Sequence, residues 1–225
     1  MNGYFPFQEV RFSDIKHKLP KESWAYSRNE RNAGEFENER VLYHAGDLHL
    51  KNLNLDIPLA FEASSSDEDG SDFIFLILVD GHLRVDHHIS NHDTDGATEL
   101  YVLGDLQARN MVVGGQTIYV TGALRVEELF WGDYNHGDLV VMEGTSAQVL
   151  MDTDGYVVKL NGEAEVRQRL SQWDAHGRWQ SLDLTTLNEL FPANCVIEVD
   201  DSPTLNRTRV LELLEAGQSV ILRNG

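Results

Sequence analysis

The chain has 225 residues, 41% of them hydrophobic, and a formal net charge of −19. That length and apolar content support a buried core and exclude a disordered chain. The longest apolar run, Phe73 to Val79, spans seven residues and is too short to cross a bilayer, so no membrane association is expected.

The charge is unevenly placed. Residues 1–40 carry seven acidic and seven basic side chains, whereas residues 62–156 carry eighteen acidic ones against Arg84, Arg109 and Arg125. The middle of the chain therefore holds −15 of the total. Such a surface repels phosphate backbones, which argues against direct nucleic-acid binding, and it attracts basic proteins. It also keeps an edge-rich β protein soluble. Cys195 is the single cysteine, so no internal disulfide forms. Met1 to Phe7 has no basic n-region or long apolar stretch, and a cytoplasmic location is the expectation.

Residues 1–40 read as an N-terminal arm or cap. A short helix is predicted within Phe12–Leu19, before Pro20, and Glu30–Arg40 is charged without a sustained apolar period. Residues 41–160 alternate apolar and polar side chains in short bursts, as in Leu83-Arg-Val85, Leu100-Tyr-Val102, Ile118-Tyr-Val120 and Leu124-Arg-Val126. Period-two alternation with small polar breaks predicts strands. A phrase of the form Gly-x-Leu-x-apolar begins at Gly46, Gly81, Gly104, Gly122 and Gly137. Its last spacings, 18 and 15 residues, match one coil of a solenoid, with insertions in the earlier coils. The fold class is therefore mainly β: a right-handed parallel β-helix-like solenoid over 41–160. An antiparallel β-sandwich is the alternative, since it shares the short alternating strands.

Residues 161–225 read as an α/β C-terminal cap closing the open end of the solenoid. Helices are predicted at Glu163–Gln172, with Val166 and Leu170 on one side, and at Leu182–Phe191. Cys195–Val199 reads as a strand. A further helix is expected to start at Asp201-Ser202-Pro203, with Val210, Leu211, Leu213 and Leu214 as its apolar face and Gly217 as its stop. Ser219–Leu222 reads as a last short strand.

Several clusters invite a functional reading. His82, Asp86, His87, His88, His92, Asp93 and Asp95 crowd together, but their spacing fits no standard metal motif, and Asn91–Gly96 reads as a polar turn. Asp93-Thr-Asp-Gly96 and Asp152-Thr-Asp-Gly155 resemble fragments of calcium loops but read better as Asp-Gly turns. No nucleophile elbow, phosphate loop or nucleotide fingerprint occurs, so no catalytic residue, metal or cofactor is assigned. Phe130 to Gly137 groups aromatic and polar side chains, either for partner contact or to pack a corner. Ser64 to Gly70 is the most acidic turn.

The phrases Leu103 to Gly115, Ile118 to Val126 and Trp131 to Gly137 resemble bacterial β-helix proteins associated with polymorphic or contact-dependent toxins. The resemblance covers about 41–160 and implies an immunity protein: a non-enzymatic inhibitor whose partner is a cognate basic protein toxin, with a nuclease as the expected class. The acidic face implied for contact comprises Asp67, Glu68, Asp69, Asp72, Asp93, Asp95, Asp133 and Tyr134. The alternatives are a self-assembling structural protein resembling bactofilins, which leaves homo-oligomers open, and a carbohydrate-active β-helix.

Overall fold

A computed structural model describes residues 5–58, 73–95 and 98–222. After β1 (Gln8–Arg11), α1 (Phe12–Ile15) and α2 (Trp24–Arg31), the chain repeats a pair of strands joined by short corners. β2 (Arg40–Ala45) leads to β3 (Leu48–Leu50) and β4 (Leu53–Asn54), and β5 (Leu76–Asp80) leads to β6 (Leu83–Ser90). The pairs β7 (Glu99–Val102) and β8 (Leu106–Val113), then β9 (Thr117–Val120) and β10 (Leu124–Asp133), follow. The last pairs are β11 (Asp138–Val141) with β12 (Thr145–Thr153) and β13 (Val157–Leu160) with β14 (Ala164–Ser171). The first members stack in the order β1-β2-β5-β7-β9-β11-β13, and the second in the order β14-β12-β10-β8-β6-β3. Every pairing within these stacks is parallel except β1 on β2. The result is a parallel β-solenoid of about four turns between 76 and 171, and the sandwich alternative is excluded.

Register explains the repeat. Leu48, Leu83, Leu106 and Leu124 sit side by side on adjacent turns, and Thr145 and Ala164 continue the column. A second column runs Leu42, Ile77, Leu100, Ile118, Leu139 and Val158. Both point inward into one apolar core. At the corner before each strand of the second sheet, glycines stack so closely that a Cβ on Gly104 would lie 2.7 Å from the Gly81 carbonyl oxygen. The phrase at Gly137 belongs elsewhere: Leu139 pairs with Ile118 in the first sheet. The true last copy is Gly162-Glu-Ala-Glu-Val166, whose Ala164 lies beside Thr145.

That copy overturns the helix expected over Glu163–Gln172, because the segment is β14. Val166 and Leu170 are four apart, as on a helix, but a bend in the strand turns them to opposite sides. Val166 packs on the inner core, and Leu170 packs outside with Trp131 and Met151. The unpaired edge of β12 is a template that local periodicity does not show.

The long strands β8, β10 and β12 of the second sheet change character along their length. The first half alternates, as in Leu124-Arg-Val126, and the second half is apolar on both sides, as in Met111-Val-Val113, Leu129-Phe-Trp131 and Val149-Leu-Met151. Register shifts of one residue between the halves occur in β6 and β10 relative to β8. The outward members Val112, Leu129, Trp131, Val149 and Met151 are covered by the C-terminal elements α3 (Leu184–Leu190), the hairpin β15 (Val196–Val199) and β16 (Ser202–Leu205), and α4 (Arg207–Glu215). The α/β cap therefore lies along the flank of the solenoid and not over its open end. Burying that many apolar side chains, at about 1.5–3 kcal/mol each, outweighs closing one exposed rung.

Two details of the cap differ from the sequence expectation. Asp201-Ser202-Pro203 does not start a helix. Asp200 and Asp201, with φ of 51° and 60°, form the two-residue turn of the β15–β16 hairpin, and Asn206 caps α4 by accepting the Arg209 N–H at 3.0 Å. Ser219–Leu222 is not a strand, although Val220 and Ile221 are buried and the Leu222 N–H bonds the Leu190 carbonyl. The helices at Leu184–Leu190 and Arg207–Glu215, with the buried face at Val210, Leu211, Leu213 and Leu214, match expectation.

The N-terminal segment covers the outer side of the first sheet in the same way. Phe12, Ile15, Leu19 and Phe36 pack on Val41, Leu76, Leu78, Tyr101 and Tyr119. The Phe36 and Phe75 rings lie 4.5 Å apart, and the buried Tyr101 hydroxyl accepts the Ala25 N–H in the first turn of α2.

Two measurements test this architecture. Gly104→Val forces a side chain into the stacked corner and should lower the free energy of urea unfolding by about 1–3 kcal/mol, whereas Arg125→Ala on the solvent side should stay within about 0.5 kcal/mol. Burial pushes the Glu99 carboxyl up to about 8, even though it accepts the Thr117 N–H at 2.8 Å. The folded protein thus keeps a proton that the unfolded chain loses near pH 4.5. This contribution to stability is complete below pH 4.5 and is lost as the pH rises through about 8. Glu99→Gln should flatten that decline in unfolding midpoints measured across the interval.

Candidate functional site

Where each strand of the second sheet gives way to the next strand of the first, the connecting loops stack along one edge. Gly114 packs beneath the Asp133 carbonyl and Gly115 beneath that of Thr94. Aspartates from successive turns line this edge. Asp56 accepts the backbone N–H groups of His92 at 2.6 Å and Asp93 at 3.2 Å. Asp93 and Asp95 are exposed, and the Asp95 N–H bonds the Asp93 carboxylate at 2.9 Å, closing a polar turn. Asp133 and Asp154 follow at the ends of β10 and β12.

The cations of the solenoid are engaged elsewhere. Arg84 pairs with Asp86, Arg109 with Glu128 and Arg125 with Asp105. Among the described residues no ion-pair partner meets Asp93, Asp95 or Asp154. The edge therefore carries uncompensated negative charge.

A cleft of about 590 Å³ opens beside it, between the ends of β10 and β12 and the β15–β16 hairpin. Asp133, Asp154, Gln172, Trp179, Ile197, Val199 and Asp200 line its walls, with Trp131 and Thr153 at its base. Trp179 is held by a bridge to Trp173 across the turn Asp174–Gly177, yet 55% of its surface is exposed. Ile197 and Val199 are also exposed. Tyr134, Asp154, Asp200 and Asp201 around the rim all have positive φ, a conformation that persists only where surrounding structure enforces it.

The base is held by a chain of hydrogen bonds. The buried Trp131 indole N–H donates to Thr153 Oγ1 at 2.7 Å, and the Thr153 hydroxyl donates to Asp133 at 2.6 Å. Behind it lies Arg207, the first residue of α4. Its guanidinium sits 5.7 Å from the Trp131 ring centroid, 3.7 Å from the Asp133 carboxylate and 2.9 Å from the Asn91 carbonyl. Burial holds the Arg207 pKa below its ordinary value. The Asp154 carboxyl is pushed up, by burial first and then by the Asp133 charge.

The expected contact residues divide into three groups. Asp67, Glu68, Asp69 and Asp72, with the rest of the Ser64–Gly70 turn, lie outside the described residues. Asp93 and Asp95 share the acidic edge but do not line the cleft, whereas Asp133 does. Tyr134 adjoins it, half-buried, with its ring 5.0 Å from that of His136. Trp131 is 1% exposed and packs beneath the cap, so Phe130–Gly137 is in part a packed corner.

Asp154, Gln172, Trp179, Ile197, Val199 and Asp200 were not expected at a site. Their one local signal is the pair Trp173 and Trp179 flanking a turn. The histidine cluster disperses. His82 Nδ1 accepts the Asp105 N–H, His92 bonds Glu215 at 2.8 Å, and His88 is buried, which lowers its pKa. Among the described residues no three His, Cys, Asp or Glu side chains group to hold a metal. In the second calcium-like fragment Asp152 is buried and bonded to Arg169 and Ser171. Among the described residues no helix is long and apolar enough to cross a membrane.

Comparison with protein-family models, curated proteins and solved structures gave no match.

Thr153→Val strips the Trp131 N–H of its acceptor and Asp133 of a donor at once. It should lower unfolding free energy by about 1–3 kcal/mol in urea titration, since buried polar groups are left unpaired.

Proposed function

We propose that this protein binds and blocks a basic protein, and that its partner is a delivered bacterial toxin of the nuclease class, which makes it an immunity-type inhibitor acting by stoichiometric contact. The observation that carries the reading is the edge formed by Asp93, Asp95, Asp133 and Asp154, of which Asp133 alone has a cation beside it among the described residues, adjoining a cleft with an exposed tryptophan. An exposed aromatic beside uncompensated carboxylates is the chemistry of an interface anchor with its steering charge. A basic nuclease presents the complementary surface, because its active site is made for phosphates. The charge supplies encounter rate and orientation, and the tryptophan and its apolar neighbours supply contact area. No catalysis and no cofactor is assigned to the chain, and its place of action in this reading is the cytoplasm.

Self-assembly is the second reading, because β13 and β14 end their sheets with one side unpaired among the described residues. It is disfavoured by Arg169, which occupies the position where Phe130 and Leu150 enter the core and places a charge over the last turn.

The test uses the purified product of the open reading frame neighbouring that of this protein. A 1:1 complex that abolishes nuclease activity is expected, with affinity falling at least about tenfold between about 0.05 M and about 0.5 M salt. Lysine at Asp93, Asp95 and Asp133 together should produce a loss of similar size at low salt. Affinity indifferent to both salt and charge reversal would sink the electrostatic reading, and filaments of the pure protein in electron micrographs would favour self-assembly.

A further inference from the structure

We infer that the cleft between the ends of β10 and β12 and the β15–β16 hairpin is an arginine-binding site, which receives an arginine side chain displayed on a loop of the basic partner. The assignment rests on the function proposed above and specifies which group of the partner is recognised.

Three observations carry it. The first is shape: a cleft of about 590 Å³ takes a side chain together with the backbone that flanks it. The second is charge. Asp133, Asp154 and Asp200 line the walls, and Asp154 has no cation beside it among the described residues. Its carboxyl is pushed up by burial and by the nearby Asp133 charge, and a cation in the cleft would offset that repulsion. A neutral ligand such as a sugar leaves this charge unmatched.

The third observation distinguishes guanidinium from ammonium. A guanidinium is planar, is weakly hydrated, stacks on indole and forks onto carboxylates, whereas an ammonium is a hydrated point charge. Trp179, 55% exposed, lines the cleft together with those carboxylates. The back of the same wall already holds such a group: Arg207 lies 5.7 Å from the Trp131 ring and 3.7 Å from Asp133. Trp179 and Asp154 supply the same two residue types, tryptophan and aspartate, to the open side of that wall. Ile197 and Val199 give the aliphatic part of the side chain an apolar border.

The experiment uses the full chain labelled with ¹⁵N and follows the indole N–H resonances, with that of Trp179 assigned through Trp179→Phe. The probe is acetyl-Gly-Arg-Gly-amide, and its citrulline counterpart has the same shape without the charge. The arginine peptide should shift the Trp179 resonance saturably, and the citrulline peptide should bind at least about tenfold more weakly. Asp154→Asn, nearly isosteric, should weaken the arginine peptide at least about fivefold while the other indole resonances stay in place. Equal binding of the two peptides, an unchanged affinity in Asp154→Asn, or a Trp179 shift with a neutral trisaccharide and not with the arginine peptide would each overturn the assignment.

The two readings fail separately. Arginine-peptide binding without inhibition of the basic partner removes the proposed function and leaves the cleft assignment standing. Inhibition that survives Asp154→Asn and Trp179→Ala unchanged removes the cleft assignment and leaves the function standing.

Discussion

Each inward side chain of the solenoid meets its counterpart on the turn above and on the turn below. The column Leu53, Ile89, Met111, Phe130 and Leu150 shows the constraint in one line. No turn buries its apolar residues without its neighbours, so the register between turns carries the stability of the whole. A slip of one residue would bring Arg84 or Arg125 inward and expose Val85 or Val126. The corner glycines keep the turns close enough for the columns to touch, and the register shifts in β6 and β10 absorb an extra residue without breaking them. At one end β1 runs antiparallel on β2 and covers its edge. At the other, Arg169 ends the inward column with a charge, which blunts the rung against further stacking.

The flanking layers follow from where the strands are apolar on both sides. Among the described residues the core side is satisfied by the stack itself, so the remaining apolar positions face outward. On the first sheet these are Leu76, Leu78, Tyr101 and Tyr119, and the N-terminal segment covers them. On the second they lie in the later halves of the strands, and the C-terminal elements cover those. The cap thereby brings the β15–β16 hairpin and the Trp173–Trp179 turn against the ends of β10 and β12. Residues from four separate stretches of chain converge there into the cleft.

Charge then separates two kinds of surface. On the alternating halves of the second sheet, arginines and carboxylates on neighbouring strands or at the corner beside them pair with one another, as Arg125 does with Asp105 at 2.8 Å. Exposed pairs of this type contribute little to stability and leave little field. Along the loop edge Asp93, Asp95 and Asp154 have no such partner among the described residues, because each is contributed by a corner and not by a paired strand position, whereas Asp133 ends β10 and lies 3.7 Å from Arg207. Their backbone bonds hold them in place, as in the turn at Asp93 and Asp95, but do not neutralise them. A field of one sign remains there beside exposed apolar side chains.

The solenoid itself was legible in the chain. Alternation in Leu83-Arg-Val85 and Leu124-Arg-Val126, repeated after corner glycines, specifies strands that stack in parallel, because the pattern is local and recurs. The excess of carboxylates in the middle was equally plain, and Asp133, one of the residues expected at the contact, lines the cleft. Other features depend on neighbours that are remote in sequence. Glu163 to Gln172 has helical spacing and becomes a strand because the edge of β12 is waiting beside it. Asp201-Ser202-Pro203 has the residues of a helix start and becomes the end of a hairpin turn because Val196–Val199 pairs back onto it. Phe130–Gly137 left partner contact and a packed corner both open, and Trp131 is buried because the cap docks on its face. Trp179, Asp154 and Asp200 carry no shared local signal, since a cleft between two layers exists only once both layers have packed. Periodicity and composition, which act between near neighbours, set the strands, the inner columns and the charge. Long-range burial decided where the cap lies, which turns meet and hence which side chains face one another across the cleft.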